Sequence, residues 1–251
     1  MNLNLTGKRA LVTGGTKGIG RAIAFAFAAE GADVAICARD AKAVAAAVAE
    51  LKSKGVNAFG KALDVSDGDA LRGFVADAAA ALGGLDAAVA NASALSSGAG
   101  EEAFRKAFDI DLMHTRNLAE AALPFLERSS QGSFCAISSV SGEEDYGYGS
   151  VSYGTMKAAL FFYVKSFARH VAPKGIRANI VSPGTTYFKG GYWHNVEVND
   201  PERFARTIAE NPMGRMAAAE EIANVVVCLA SGPASFVSGT NISVDGTLTI
   251  R

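Results

Sequence analysis

Short apolar or β-branched runs alternate with longer alanine-rich stretches along nearly the whole of this 251-residue chain. That alternation predicts parallel strands joined by crossover helices, because a parallel partner is reached only through a connection that returns across the sheet. Strands are expected at RALVT, DVAIC, NAFGKALD, DAAVAN, SFCAIS and RANIVS, with a last one at NISVD. Helices are expected over Ile19–Glu30, Ala41–Lys54, Gly68–Leu82, Glu101–Glu127, Val151–Val171 and Ala218–Ala230. Their alanine content favours the helix and allows close packing on a sheet. No proline-rich, serine-rich or repeated segment divides the chain, so residues 1–251 are expected to form a single doubly wound α/β domain. The rhythm breaks over residues 185–211, TTYFKGGYWHNVEVNDPERFARTIAEN, where a long loop with one short helix is expected. Loops of that length are commonly lids or substrate-binding segments.

Composition narrows the partners. Lys and Arg number 24 against 25 Asp and Glu, and no block of like charge is long enough for a nucleic-acid or membrane patch. The N-terminus MNLNLTGKRALV lacks the parts of a signal peptide, and no apolar run approaches membrane-spanning length, so a cytoplasmic location is expected. Cys37, Cys135 and Cys228 are scattered in apolar segments and read as buried thiols rather than a disulfide framework. His114, His170 and His194 show no metal-ligand spacing, so no metal is expected.

The segment TGGTKGIG, Thr13 to Gly20, lies between the first strand and the first helix. A glycine loop there points a helix N-terminus and several backbone N–H groups at one spot, which favours a pyrophosphate. Its spacing, Gly14-x-x-x-Gly18-x-Gly20, is neither the usual dinucleotide fingerprint nor a P-loop. Several further segments follow in order: LDV with Asp64 and Val65, NAS from Asn91, ISSVSG with Ser139, YGTMK with Tyr153 and Lys157, SPGTT with Pro183, Gly184 and Thr186, and VDG near the C-terminus. Together, across nearly the whole chain, they resemble the short-chain dehydrogenase/reductase family. The resemblance implies a Rossmann-like, mainly parallel seven-stranded sheet with helices on both faces, and an oxidoreductase of CH–OH groups. It implies a cofactor seat at Gly14, Thr16, Lys17, Gly18, Ile19 and Gly20, with Asp64 and Val65 on the adenine side. Asn91, Tyr153, Lys157, Pro183, Gly184 and Thr186 would lie on the nicotinamide side. It also implies a homotetramer or homodimer built on the helices over residues 101–127 and 151–171.

Tyr153 and Lys157 are four apart in a helical segment and therefore project from one face. A phenol is a poor base at neutral pH, and a fixed cation one turn away favours the phenolate. Such a pair can pass a proton to or from the oxygen of a carbonyl or secondary alcohol. Taken alone, an aromatic and a lysine on a half-exposed helix are more often bystanders; the serines upstream favour the functional reading. The family pattern places the substrate-polarising role on Ser139, with an insertion in EEDYGYGS, since Ser139 stands 14 positions before Tyr153. Where the family usually has an asparagine that holds a relay water, FDIDLMHT carries Asp111. An ionised aspartate only accepts hydrogen bonds, and its charge stabilises a lysine ammonium while opposing a nearby phenolate. Ser93 also replaces the family's usual glycine.

The second strand reads VAICARD, which puts Ala38 where NAD-preferring members carry an acid, followed by Arg39. A missing carboxylate with an adjacent guanidinium suits a 2′-phosphate, and Lys17 can approach the same group. NADP(H) is therefore expected, with NAD(H) as second choice, since a shift of two positions would bring Asp40 to the ribose. The expected activity interconverts a small-molecule ketone or carbonyl and a secondary alcohol. The alternatives are a 3-oxoacyl carrier-protein reductase and a nicotinamide-binding sensor or scaffold that has lost turnover. Tyr187, Phe188, Tyr192 and Trp193 are candidates for an apolar substrate pocket, or for packing that pins their loop.

Overall fold

The structure, a computed structural model, describes residues 2–249. The first half of the chain builds β1 (Arg9–Thr13), α1 (Gly18–Ala29), β2 (Asp33–Ala38), α2 (Ala41–Lys52), β3 (Ala58–Ala62), α3 (Gly68–Leu82) and β4 (Ala87–Ala90). It continues with α4 (Glu101–Ala107), α5 (His114–Leu126), β5 (Ser133–Ile137), α6 (Val151–Val171) and β6 (Arg177–Pro183). After these come β7 (Thr186–Tyr187), α7 (Tyr192–Asn199), α8 (Pro201–Glu210), β8 (Ala217–Ala218), α9 (Ala219–Ala230) and β9 (Asn241–Val244). Seven strands form one wholly parallel sheet in the order β3-β2-β1-β4-β5-β6-β9.

The strand sequences are almost continuously apolar because both faces of the sheet are covered. Leu11, Ala35 and Cys37 pack under α3, α5 and α6, where Leu71, Phe74, Leu118 and Val164 lie. Their neighbours Ala10, Val12, Val34 and Ile36 point the other way, to Ile23 of α1, Ala47 of α2 and Ile222 of α9. The helices begin where polar residues stop the strands: Asp40 and Asp67 accept backbone N–H bonds at the starts of α2 and α3. The strand order reverses between β1 and β4, which leaves a crevice at their carboxyl ends.

Three expectations are corrected. The single helix expected over Glu101–Glu127 is interrupted: a π-helical turn, Phe108–Met113, separates α4 from α5. This turn carries Asp111 and is held by side chains described below. The long segment from Thr185 contains two helices, α7 and α8, divided at Asp200, whose carboxylate caps α8 ahead of Pro201. Finally, Cys37 and Cys135 are buried, with burial pushing both thiols up to about 12, but Cys228 is exposed. It lies on the outward stripe of α9 with Asn224, one turn before it, while Val226, Val227 and Leu229 face the core. Among the described residues no helix is long and apolar enough to cross a membrane, and no group of His, Cys, Asp or Glu is placed to hold a metal.

Candidate active site

The glycine loop leaves β1 and is fastened to the end of β2: the Gly14 and Gly15 N–H groups donate to the Cys37 carbonyl at 2.8 and 3.2 Å. A Cβ on Gly20 would stand 2.3 Å from both Asn91 Nδ2 and the Gly14 carbonyl oxygen, so only glycine lets α1 approach the loop this closely. Gly14 and Gly18 have φ of +68° and +54°, a region that strains other residues. Lys17 is the N-cap of α1 and makes no side-chain cap bond, so its side chain leaves the first-turn N–H groups at Gly18, Ile19 and Gly20 uncapped, although the Phe188 ring packs against Gly18. Uncapped donors and the positive end of the helix dipole suit an anion. Arg39 follows β2 in an exposed position, and Asp40 turns away to bind the N–H groups of Lys42 and Ala43 at 2.9 and 3.2 Å. Asp64 lies on the same sheet edge, where hydrogen bonds from the Ser66 N–H and hydroxyl, with the Arg39 charge, hold its carboxyl below the usual range.

Asn91 serves the loop from the β4 side. Its Nδ2 donates to the Thr13 carbonyl at 2.9 Å, and its backbone N–H to Thr13 Oγ1 at 3.0 Å. Across the crevice, Pro183 ends β6 and the Gly184 N–H donates to the Val244 carbonyl at 3.0 Å. A side chain on Gly184 would strike the Asp245 backbone at 2.8 Å. Thr186, a candidate contact from the sequence, spends its hydroxyl on the Gly184 carbonyl at 3.1 Å. Its neighbour Thr185, not among the sequence candidates, has a buried hydroxyl oxygen without a hydrogen-bond partner among the described residues. The threonine pair was the available signal, since neighbours in an extended segment face opposite ways.

The catalytic candidates meet at the ends of β5 and α6. Lys157, 2% exposed, donates from Nζ to the Ile137 carbonyl at 2.8 Å, and its ammonium stands 5.5 Å from the Tyr153 ring centroid. Ser138 donates to the Lys157 carbonyl at 2.8 Å and is thereby structural. Ser139 Oγ accepts the Ser141 N–H at 3.1 Å, which uses a lone pair and leaves its O–H able to donate elsewhere. The turn beyond Ser139 is pressed onto α6: Cβ atoms on Gly142 and Gly154 would lie 2.7 Å from the Ala158 N and 2.5 Å from the Ser141 carbonyl oxygen.

Asp111 is fully buried, with Oδ1 3.2 Å from Lys157 Nζ. Among the described residues, Oδ1 lies outside hydrogen-bond geometry with any group, and Oδ2 takes only a long bond from the Ala94 N–H, 3.3 Å. A buried carboxylate beside an ammonium is thus incompletely satisfied at the centre of the site. The aromatic residues of the 185–211 segment mostly fasten it. A Cβ on Gly18 would lie 2.4 Å from the Phe188 ring and one on Gly191 2.7 Å from it, so Phe188 is wedged between these glycines. Tyr187 donates to Glu197 and meets the rings of His194 and Phe204 edge-on. Only Tyr192 is largely exposed.

Residues 14–249 match a family model described as enoyl-(acyl carrier protein) reductase. The chain is 38% identical over 251 residues to the isoepoxydon dehydrogenase of Penicillium expansum, covering 98% of this chain and 96% of that one. Its fold superposes on the L-sorbose reductase of Gluconobacter frateurii, solved with NADPH and L-sorbose, with TM-score 0.92, 29% identity and 100% of both chains covered. A 7α-hydroxysteroid dehydrogenase complexed with NADH and 7-oxo glycochenodeoxycholic acid matches with TM-score 0.91 and 30% identity, over 98% of this chain and 96% of that one.

Proposed function

This chain belongs to the short-chain dehydrogenase/reductase family, and from that footing we propose that it is an NADP(H)-dependent oxidoreductase interconverting a ketone and a secondary alcohol. The observation that carries the reading is the cluster at α6, where Lys157 is buried beside the Tyr153 ring and Ser139 keeps a donor available on the adjoining turn. The nicotinamide cofactor, when bound, supplies or removes the hydride. Tyr153 gives its proton to the developing alkoxide oxygen, or takes it from the alcohol in the reverse direction. Lys157, held by the Ile137 carbonyl, keeps positive charge beside the ring and so favours the phenolate. Ser139 donates to the same substrate oxygen and polarises it. Asp111 holds the ammonium in place and tempers its effect on the tyrosine.

The cofactor's phosphates fit the uncapped turn at Gly18, Ile19 and Gly20, and the unpartnered Thr185 hydroxyl suits an amide on the nicotinamide side. For the 2′-phosphate form, the support is local: Arg39 is exposed after β2 and Asp40 is committed to capping α2. The sorbose reductase carries NADPH and the steroid dehydrogenase NADH, so the choice turns on these residues. Arg39→Ala and Lys17→Ala should each weaken NADP(H) binding about tenfold, with less change for NAD(H). Equal losses for both cofactors overturn the assignment.

A 3-oxoacyl carrier-protein reductase is the second reading, favoured by 32% identity over 244 residues to the 3-oxoacyl-(acyl-carrier-protein) reductase of Staphylococcus aureus. Against it, Arg203 of the 185–211 segment is engaged by the Tyr192 hydroxyl at 2.8 Å and lies over the Tyr192 and Trp193 rings, a poor start for a carrier-protein patch. Assembly through α5 and α6 is supported by Phe162, 79% exposed beside a shallow apolar recess that Leu112, Met113 and Tyr163 also line. A panel of ketones, secondary alcohols and 3-oxoacyl thioesters with both cofactors tests the function. Turnover of the active pair should fall about 10²- to 10⁴-fold in Tyr153→Phe; undiminished turnover there rejects the mechanism. Cofactor binding with no turnover across the panel favours a sensor.

A further inference from the structure

His114 follows the π-helical turn directly and is fully buried. It takes no part in the chemistry described above. Both ring nitrogens are nevertheless engaged: Nδ1 lies 3.0 Å from the Ile110 carbonyl oxygen and Nε2 3.0 Å from Thr13 Oγ1. Ile110 immediately precedes Asp111 in the turn, and Thr13 immediately precedes the glycine loop. Thr13 Oγ1 also receives the Asn91 N–H at 3.0 Å and the Ala92 N–H at 3.2 Å.

Counting donors assigns the tautomer. A carbonyl only accepts, so Nδ1 carries a hydrogen. The two lone pairs of the Thr13 hydroxyl are taken by Asn91 and Ala92, so its O–H is the group that faces Nε2. Val89 offers that hydrogen another carbonyl at 3.3 Å, but using it would require a second N–H on the imidazole. Thr13 would then have to accept three donors on two lone pairs. The neutral ring with hydrogen on Nδ1 satisfies every atom. The charged groups facing it are Asp111, which favours a second proton, and Lys157, which opposes one. Burial outweighs both and lowers the imidazole to about 4.

We infer that His114 is a positioning residue, a neutral two-ended strut that sets the Asp111-bearing turn against Lys157 at one end and the cofactor-side loop at Thr13 and Asn91 at the other. The Ile110 end shapes the wide turn. Thr115 Oγ1 completes it by donating to the Asp111 carbonyl at 2.7 Å. The Thr13 end holds the hydroxyl that organises Asn91 and Ala92, and Asn91 in turn holds the Thr13 carbonyl. The strut thus joins the place where the proton is handled to the place where the cofactor sits.

The inference rests on the proposed roles of the glycine loop and of Asp111 with Lys157, and its test is chosen to separate the two. In cofactor-free protein, long-range ¹H–¹⁵N correlation spectra should show His114 as the Nδ1–H tautomer, unchanged from pH 8 to pH 5. An Nε2–H tautomer, or titration within that range, overturns the strut. His114→Asn places an amide donor near the former Nδ1 and keeps the Ile110 end, whereas His114→Gln reaches the Thr13 end. NADPH fluorescence titration should therefore give a Kd raised about tenfold in His114→Asn and within about threefold of wild type in His114→Gln. The pH–rate profile should be retained by His114→Asn and displaced in His114→Gln. Equal behaviour of the two variants in both measurements overturns the inference and leaves only a packing role. The spectra and the titration need no turnover, so failure of the oxidoreductase reading would appear as missing activity with these two results intact.

Discussion

Two buried carboxylates, one at each edge of the sheet, face cations in different ways. At the amino edge Asp86, just before β4, accepts from the Arg9 N–H at 2.9 Å, from Arg9 Nε at 2.7 Å and from Nη2 at 3.1 Å. It also accepts from the Ser129 hydroxyl at 2.5 Å, and the Arg9 and Ser129 bonds hold its carboxyl below the usual range despite burial. At the carboxyl edge Asp111 faces Lys157 with one oxygen unsatisfied and the other weakly bonded. A pair built for stability fills its hydrogen-bonding capacity, since a bare buried charge is costly. The pair in the cleft keeps unused capacity where the proposed mechanism moves a proton, and it sits on a π-helical turn, a distortion frequent at functional sites.

The contrast can be broken in several ways. Asp86→Ala should have the largest effect on stability, about 3–5 kcal/mol in denaturant melts, because it strands Arg9 and Ser129, while the folded fraction keeps its kcat. A loss below about 1 kcal/mol would remove the distinction between the edges. Acid should reach the carboxyl edge first. The His114 imidazole titrates near 4 when folded and about 6.5 when unfolded, so the unfolded chain takes the proton first as pH falls. Stability should decline between those values by up to about 3 kcal/mol, a slope that His114→Asn removes. The contribution of Asp86 is present above the ordinary carboxylate range and is lost only as pH falls further, through its depressed folded value.

Smaller effects sharpen the comparison. Asp111→Asn should cost less than Asp86→Ala, about 1–3 kcal/mol, since it leaves the buried Lys157 ammonium without its counter-charge but keeps an amide oxygen beside it. It should move the acid limb of the alcohol-oxidation profile to lower pH, because a negative charge beside the proposed proton-transfer pair is gone. Superimposable profiles would deny Asp111 any electrostatic role. Thr185→Val should leave the melting temperature unchanged within about 1 °C, because the hydroxyl it removes has no partner. Its NADPH Kd should nonetheless rise about threefold; no change in Kd removes Thr185 from the cofactor seat.

Much of the fold was legible because the strands are continuous apolar runs and the helices begin at local caps such as Asp67. The glycine loop, Tyr153 and Lys157 were legible because their chemistry is local in sequence, a strand-to-helix turn and one helical turn. The π-helical turn was not, since FDIDLMHT has ordinary helical character and the contact proposed to hold the turn, His114 with Thr13, joins residues 101 positions apart. For the same reason Thr185 was passed over for Thr186. Which of two adjacent hydroxyls is spent depends on how β6 and β7 lie, and the two differ only in that placement.

What the sequence by itself determined, then, is most of the order of elements and the parallel doubly wound class, carried by periodicity, while the candidates for phosphate binding and proton transfer came from short spacings and a family resemblance. Tertiary structure decided whether a charged or polar side chain was satisfied. Asp86 and Asp111, or Asp40 and Asp64, are the same residue type in the sequence. Only the partners brought to them by distant strands and helices made one a structural anchor, another a helix cap and a third the unsettled centre of the site. Burial makes hydrogen-bond satisfaction energetically decisive, and burial is a property of the assembled layers.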